Sequence, residues 1–140
     1  MSAKRRNPGL VGRTRGQYNW SMSGNLEAWI TGYRQAWESN KPDDIRALFT
    51  EDAEYRTDPW AKPWRGHEEI VAGWLEKKDE PGNTAFEWSE LVSTPDVSII
   101  QGTTVYRDGP TYSNLWVIKL TAEGRAQAFT EWWMDQSNPS

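Results

Sequence analysis

The stretch from Ala47 to Trp60 carries a helical pattern through a short strand into Asp58-Pro59-Trp60, and so delivers one carboxylate into aromatic surroundings. Pro59, Trp60, Pro63, Trp64 and Gly66 make the loop after it stiff, apolar and short of competing water. A carboxylate held there is suited to take a proton as a general base. An Asp before Pro also serves as a turn or helix cap, the competing role for Asp58. Glu131, in the last strand pattern, is the reserve acid or base, and its competing role is an ion pair with Arg34 or Arg56. Tyr33 could donate a hydrogen bond to an enolate oxygen or serve as a plain aromatic wedge.

Other chemistries are disfavoured. The chain has no Cys and a single His, His67 beside Gly66 at a helix start, so neither thiol chemistry nor a metal site is expected. No Gly-rich phosphate loop, nucleophile elbow or metalloprotease signature occurs, and no cofactor is expected.

The elements that must position these residues follow from periodicity. Leu26, Trp29, Ile30, Tyr33 and Trp37 recur at spacings of three and four, which predicts a helix from Ser23 closed by Asn40 and Pro42. A short helix opens near Pro42 or Asp43 and ends near Phe49. A strand follows at about 53–57, then a third helix at about 67–79 with Ile70, Val71, Trp74 and Leu75 on one face. Beyond Pro81-Gly82-Asn83 come four strands, at about 84–94, 97–107, 111–121 and 126–136, divided by Thr94-Pro95-Asp96, Asp108-Gly109-Pro110 and Ala122-Glu123-Gly124-Arg125. Three helices ahead of an antiparallel meander make an α+β domain over residues 23–137, preceded by a flexible basic tail at 1–22.

Composition bounds the class. At 140 residues one core is expected, burying roughly two thirds of the unfolded surface. Ten Trp, five Tyr and three Phe in a chain of polar mean hydropathy concentrate apolar surface in large rings, which need a cavity or an interface to fill. A net charge of −4, with five of the sixteen basic residues inside the first fifteen positions, argues against nucleic acid as a partner. No apolar run approaches the roughly 20 residues of a membrane span, and the basic start lacks the apolar core of a signal peptide, so a cytoplasmic protein is expected. Apolar residues sit side by side at Trp116-Val117-Ile118 and Trp132-Trp133, so both sheet faces need cover, one by the helices and the other by a second subunit in a homodimer.

The order helix, helix, short strand with Asp-Pro, helix and four-stranded meander, with Ala47-Leu48-Phe49, Glu51-Asp52 before Ala53, Asp58-Pro59, Gly66 leading to Ile70 and Gly124 in the last hairpin, resembles the nuclear transport factor 2-like superfamily over residues 24–136. That superfamily includes SnoaL-like domains and ketosteroid isomerases. The resemblance implies a curved sheet wrapped on a long helix as a cone with an apolar pocket at its open end. In the isomerases the catalytic Asp precedes a Pro after the first strand, as Asp58 does here. Their oxyanion tyrosine lies sixteen residues before the Phe that ends the second helix, the spacing of Tyr33 from Phe49. Their second oxyanion donor, a protonated Asp, falls at Trp116, where an indole N–H stands instead.

If Trp116 points into the cone, strand alternation brings Asn114 and Ile118 with it. The same alignment turns Phe129, Glu131 and Trp133 inward on the last strand, and Gln101, Thr103 and Val105 on an earlier one. Trp29, Trp60, Trp64 and Trp74 complete the expected pocket wall. The implied activity is cofactor-free proton transfer, as isomerase, cyclase or dehydratase, on a small apolar or aromatic carbonyl compound; a ligand-binding module without chemistry is the alternative.

Overall fold

Leu26, Trp29, Ile30, Tyr33 and Ala36 fall at helical spacing and are buried along one side of helix α1 (Gly16–Ser39) in the computed structural model, which describes residues 16–137. The helix starts at Gly16, ahead of the expected Ser23, because the preceding residues carry no apolar repeat by which to recognise it. Residues 1–15 of the expected tail lie outside the described residues. Asn40, at φ 54°, ends the helix in the left-handed conformation that Asn tolerates, and its N–H bonds to the Ala36 carbonyl at 2.7 Å.

Pro42 opens a second helix, α2 (Pro42–Arg46), with Asp43 and Asp44 in its first turn. It stops short of the expected Phe49, which instead begins strand β1 (Phe49–Arg56). This strand is longer than its sequence pattern suggested because Phe49 pairs across the sheet with Ala126, a contact remote in sequence. A two-residue strand, β2 (Trp64–Arg65), folds back on it and leads through Gly66, at φ 82°, into helix α3 (Gly66–Glu76). The buried face of α3 is Ile70, Val71, Gly73 and Trp74.

Strands β3 (Thr84–Ser93), β4 (Ser98–Tyr106), β5 (Thr111–Leu120) and β6 (Ala126–Asp135) form the antiparallel meander. The full sheet runs β2-β1-β6-β5-β4-β3, and β1 lies parallel to β6, so the sheet is mixed and curved. Trp116, Ile118, Phe129 and Ile100 project from its inner face onto α1 and join Phe49 and Ile70 in the core. Helices therefore cover one face and leave an open end where β1, α3 and the meander diverge.

Candidate functional site

At that open end a cavity of about 330 Å³ is framed by the ends of α1 and α3, by β1 and by the three last strands. Its wall is largely aromatic. Tyr33 lies at its centre, with ring centroids 4.7 Å from Trp116 and 5.0 Å from Trp74. Tyr55, on β1, stacks on Trp64 at 4.9 Å. The Tyr33 and Tyr55 hydroxyls share a buried hydrogen bond of 2.7 Å, so whichever accepts retains its own proton for a ligand. Burial pushes both phenols well above their usual pKa, reinforced at Tyr33 by Tyr55 and Glu131 and at Tyr55 by Glu131, so both stay neutral donors.

Glu131 stands directly opposite Trp116 across the β5–β6 pair. Its carboxyl is pushed up to about 7, first by removal from water, and further by the negative charges of Asp58 and Asp79, while the nearby Trp116 N–H tempers the rise. The Trp116 ring is 1% exposed, and its Nε1 makes no hydrogen bond of acceptable geometry. The buried indole N–H lies against the Glu131 carboxyl and favours its ionised form, while the neutral form, half populated near pH 7, is a donor on the cavity wall.

Other polar groups are already committed. Thr104 donates to the Asn114 amide oxygen at 2.7 Å, which fixes the amide and leaves its nitrogen as the remaining donor. The Asp79 carboxylate accepts from Trp37 Nε1 at 2.8 Å and from the Tyr106 hydroxyl at 2.9 Å, and its backbone carbonyl accepts from Asn40 at 3.0 Å. These bonds clamp the segment after α3 as one lip of the opening, with Lys77 and Lys78 on it. Burial, and then the bond to Asp79, drive the Tyr106 pKa upward. Trp133 donates from its Nε1 to the Thr57 carbonyl at 3.1 Å, tying β6 to the Asp58 loop.

Of the residues read from sequence, Tyr33, Asp58, Glu131, Trp64, Trp74, Asn114, Trp116 and Trp133 meet around this cavity. Five others lie elsewhere. Trp60 is 82% exposed at the tip of its loop, because the Asp58–Ala61 turn swings it outward. Trp29 is a core ring one turn of α1 before Tyr33, and its Nε1 donates to the Leu48 carbonyl at 2.8 Å. Gln101 and Thr103, with Val105, point to the outer face. The β4–β5 register pairs Ile100 with Trp116 and Gly102 with Asn114, so the even-numbered residues of β4, including Thr104 and Tyr106, face inward. His67 spends its Nε2 on the Phe49 carbonyl at 2.8 Å, a structural bond.

Sequence reasoning missed Tyr55, Thr104, Tyr106 and Asp79. Alternation along β1 carried a usable signal for Tyr55, since Ala53 and Tyr55 share one side of the strand and both are buried. Asp79 had none, because its partners lie 42 and 27 residues away.

Among solved structures the chain is similar to a nuclear transport factor 2-like protein of unknown function from Burkholderia xenovorans, with a TM-score of 0.66 and 13% identity over 85% of this chain and 90% of that one. It is similar to a steroid delta-isomerase from Pseudomonas aeruginosa, with a TM-score of 0.58 and 15% identity over 81% and 82%. A protein with a cystatin-like fold from Silicibacter pomeroyi gives a TM-score of 0.57 and 15% identity over 78% and 75%. At these identities the likeness is one of fold. No curated protein matches. The model of the SnoaL-like domain matches residues 30–135, which span α1 to β6 and every residue of the cavity wall, and the chain belongs to that family.

Proposed function

We propose that the cavity performs cofactor-free proton transfer on a small apolar carbonyl compound, as an isomerase, cyclase or dehydratase. The observation that carries this reading is the hydrogen-bonded Tyr33–Tyr55 hydroxyl pair on one cavity wall with Glu131 and Asp58. Asp58 removes a proton from the carbon next to the carbonyl. The electron pair of that C–H bond moves into the carbonyl, and the resulting enolate oxygen accepts hydrogen bonds from neutral Glu131 and the Tyr33–Tyr55 pair. A carboxyl kept neutral by an apolar site can serve as such a donor. Return of the proton from Asp58 to another carbon completes an isomerisation; in a dehydration the enolate electrons form the C=C bond as the Cβ–O bond breaks, and the β-hydroxyl leaves as water with the proton held by Asp58. The steroid delta-isomerase of similar fold supports this reaction class. We also read the protein as a homodimer through the outer face of its sheet.

Asp58→Asn keeps the shape of the side chain and removes the base. It is expected to lower turnover roughly 10²–10⁴-fold while leaving affinity for a planar phenol within a few-fold. Affinity is measured by tryptophan fluorescence quenching, and turnover by exchange of the acidic proton of enones with deuterated water. Unchanged exchange in the Asn variant would rule out Asp58 as the base and favour a pocket that binds without chemistry.

A further inference from the structure

The inner face of β5 carries Ile118, Trp116, Asn114 and Tyr112 in turn, from the closed floor of the cavity toward its mouth, and Asn114 is the one amide in that row. It is 8% exposed, and Thr104, which donates to its Oδ1 at 2.7 Å, is 2% exposed. Burying two polar side chains costs desolvation that an aliphatic pair would avoid. Strand pairing does not need their bond, since backbone register already joins β4 to β5 from Ser98 and Ile118 to Val105 and Thr111. The bond spends the amide oxygen and points the nitrogen away from Thr104. Among the described residues no hydrogen bond leaves Asn114 Nδ2, and this atom is not sealed off as Trp116 Nε1 is, so it opens into the cavity. Its cross-strand neighbour Trp133 offers no acceptor, because the Trp133 Nε1 is itself a donor, spent on the Thr57 carbonyl. A nearly buried amide donor is thus held ready for an acceptor that the protein does not supply.

We propose that the substrate of this cavity carries a second, neutral oxygen acceptor, an ether or carbonyl group, bound by Asn114 Nδ2, with Thr104 as the positioning residue that holds the amide. Asn114 lies two residues, roughly 7 Å of strand, nearer the mouth than Trp116, whose level Glu131 shares across the β5–β6 pair. A ligand whose reacting carbonyl meets Glu131 and the Tyr33–Tyr55 pair therefore bears this second oxygen at its far end. The acceptor is neutral because Asp58 and Asp79, on the same cavity wall, oppose an anion. The inference names the substrate class of the proton-transfer site read above and rests on that reading.

Two phenols, 4-(methoxymethyl)phenol and 4-propylphenol, have nearly the same shape and differ by an ether oxygen in place of a methylene. Each is titrated into the full chain with tryptophan fluorescence as the readout, and the ratio of the two affinities cancels general effects on the pocket. Asn114→Leu is expected to shift this ratio roughly 3–10-fold against the ether while 4-propylphenol still saturates. Thr104→Val, a second route where the Leu variant does not fold, shifts it the same way, and Thr104→Ser, which keeps the hydroxyl, retains the wild-type ratio. A ratio unchanged in Asn114→Leu, or in Thr104→Val where the Leu variant does not fold, overturns the acceptor subsite and leaves the proton-transfer reading standing. A shift as large in Thr104→Ser as in Thr104→Val overturns the positioning role, since the hydroxyl is then not what holds the amide. Failure of both phenols to saturate the wild type removes the cavity as the site, and both readings fall together.

Discussion

Glu131 is the residue whose chemistry depends most on its surroundings. With its carboxyl raised to about 7, it is mostly neutral below that pH and can donate a hydrogen bond; above it, the carboxylate repels an enolate. Binding of a neutral phenol to the wild type is therefore expected to weaken as pH rises from 6 to 8, a loss that Glu131→Gln abolishes because the amide donates at every pH. Fluorescence titration at several pH values checks this, and a wild-type profile flat across that range would remove Glu131 as a donor. Stability follows the same group with a definite sign. In the unfolded chain Glu131 ionises near its ordinary pKa, so between that value and about 7 the folded state holds the extra proton. Its contribution is fully present at low pH and is lost as pH rises toward 7, amounting at most to about 3 kcal/mol. The melting temperature of Glu131→Gln should accordingly gain on that of the wild type between pH 5 and pH 8, and a constant difference would show that the carboxyl titrates normally.

The elements divide by whether their signals are local. The three meander hairpins are legible because Thr94-Pro95-Asp96, Asp108-Gly109-Pro110 and the Gly124 turn interrupt alternating strands, and the observed ends of β3 to β6 fall within a residue or so of those expected. The inward side of β4 is not legible, since Ile99 and Ile100 are both apolar and only the pairing of Val105 with Thr111 settles which of them meets Trp116. The two-residue β2 and the parallel β1–β6 pair were also beyond reach, because each depends on partners set by the whole sheet. Gly73 shows how such a contact shapes the site. A Cβ there would stand 2.3 Å from Trp64 Cε2, and Trp64 is held in turn by its stack on Tyr55. Gly73→Ala is expected to cost about 1–3 kcal/mol through overpacking despite the better helix propensity of Ala. It should also weaken phenol binding, because the displaced ring forms part of the cavity wall. Urea unfolding reads the first effect, and a variant as stable as the wild type would mean that α3 and β2 can separate freely.

At the scale of the molecule, the outer face of the sheet carries what the helices leave uncovered. Trp132 lies beside Leu115 and Met134 beside Ser113 across the β5–β6 pair, while Val105 continues the surface on β4. Met134 is 65% exposed, and Trp132 and Val105 are exposed as well. Such a patch, central in a sheet whose other face is already packed, fits a self-complementary interface in which sheet meets sheet about a two-fold axis. A stable dimer of this kind needs roughly 1,200–2,000 Å² of buried surface, so one charge at its centre has large leverage. Trp132→Glu places that charge beside Leu115 without touching the cavity, since residue 132 projects away from Glu131. Sedimentation equilibrium is expected to give a dimer for the wild type and a monomer for the variant, with phenol affinity in the cavity little changed. A monomeric wild type would assign the patch to a different partner, and a dimeric variant would move the interface to another face.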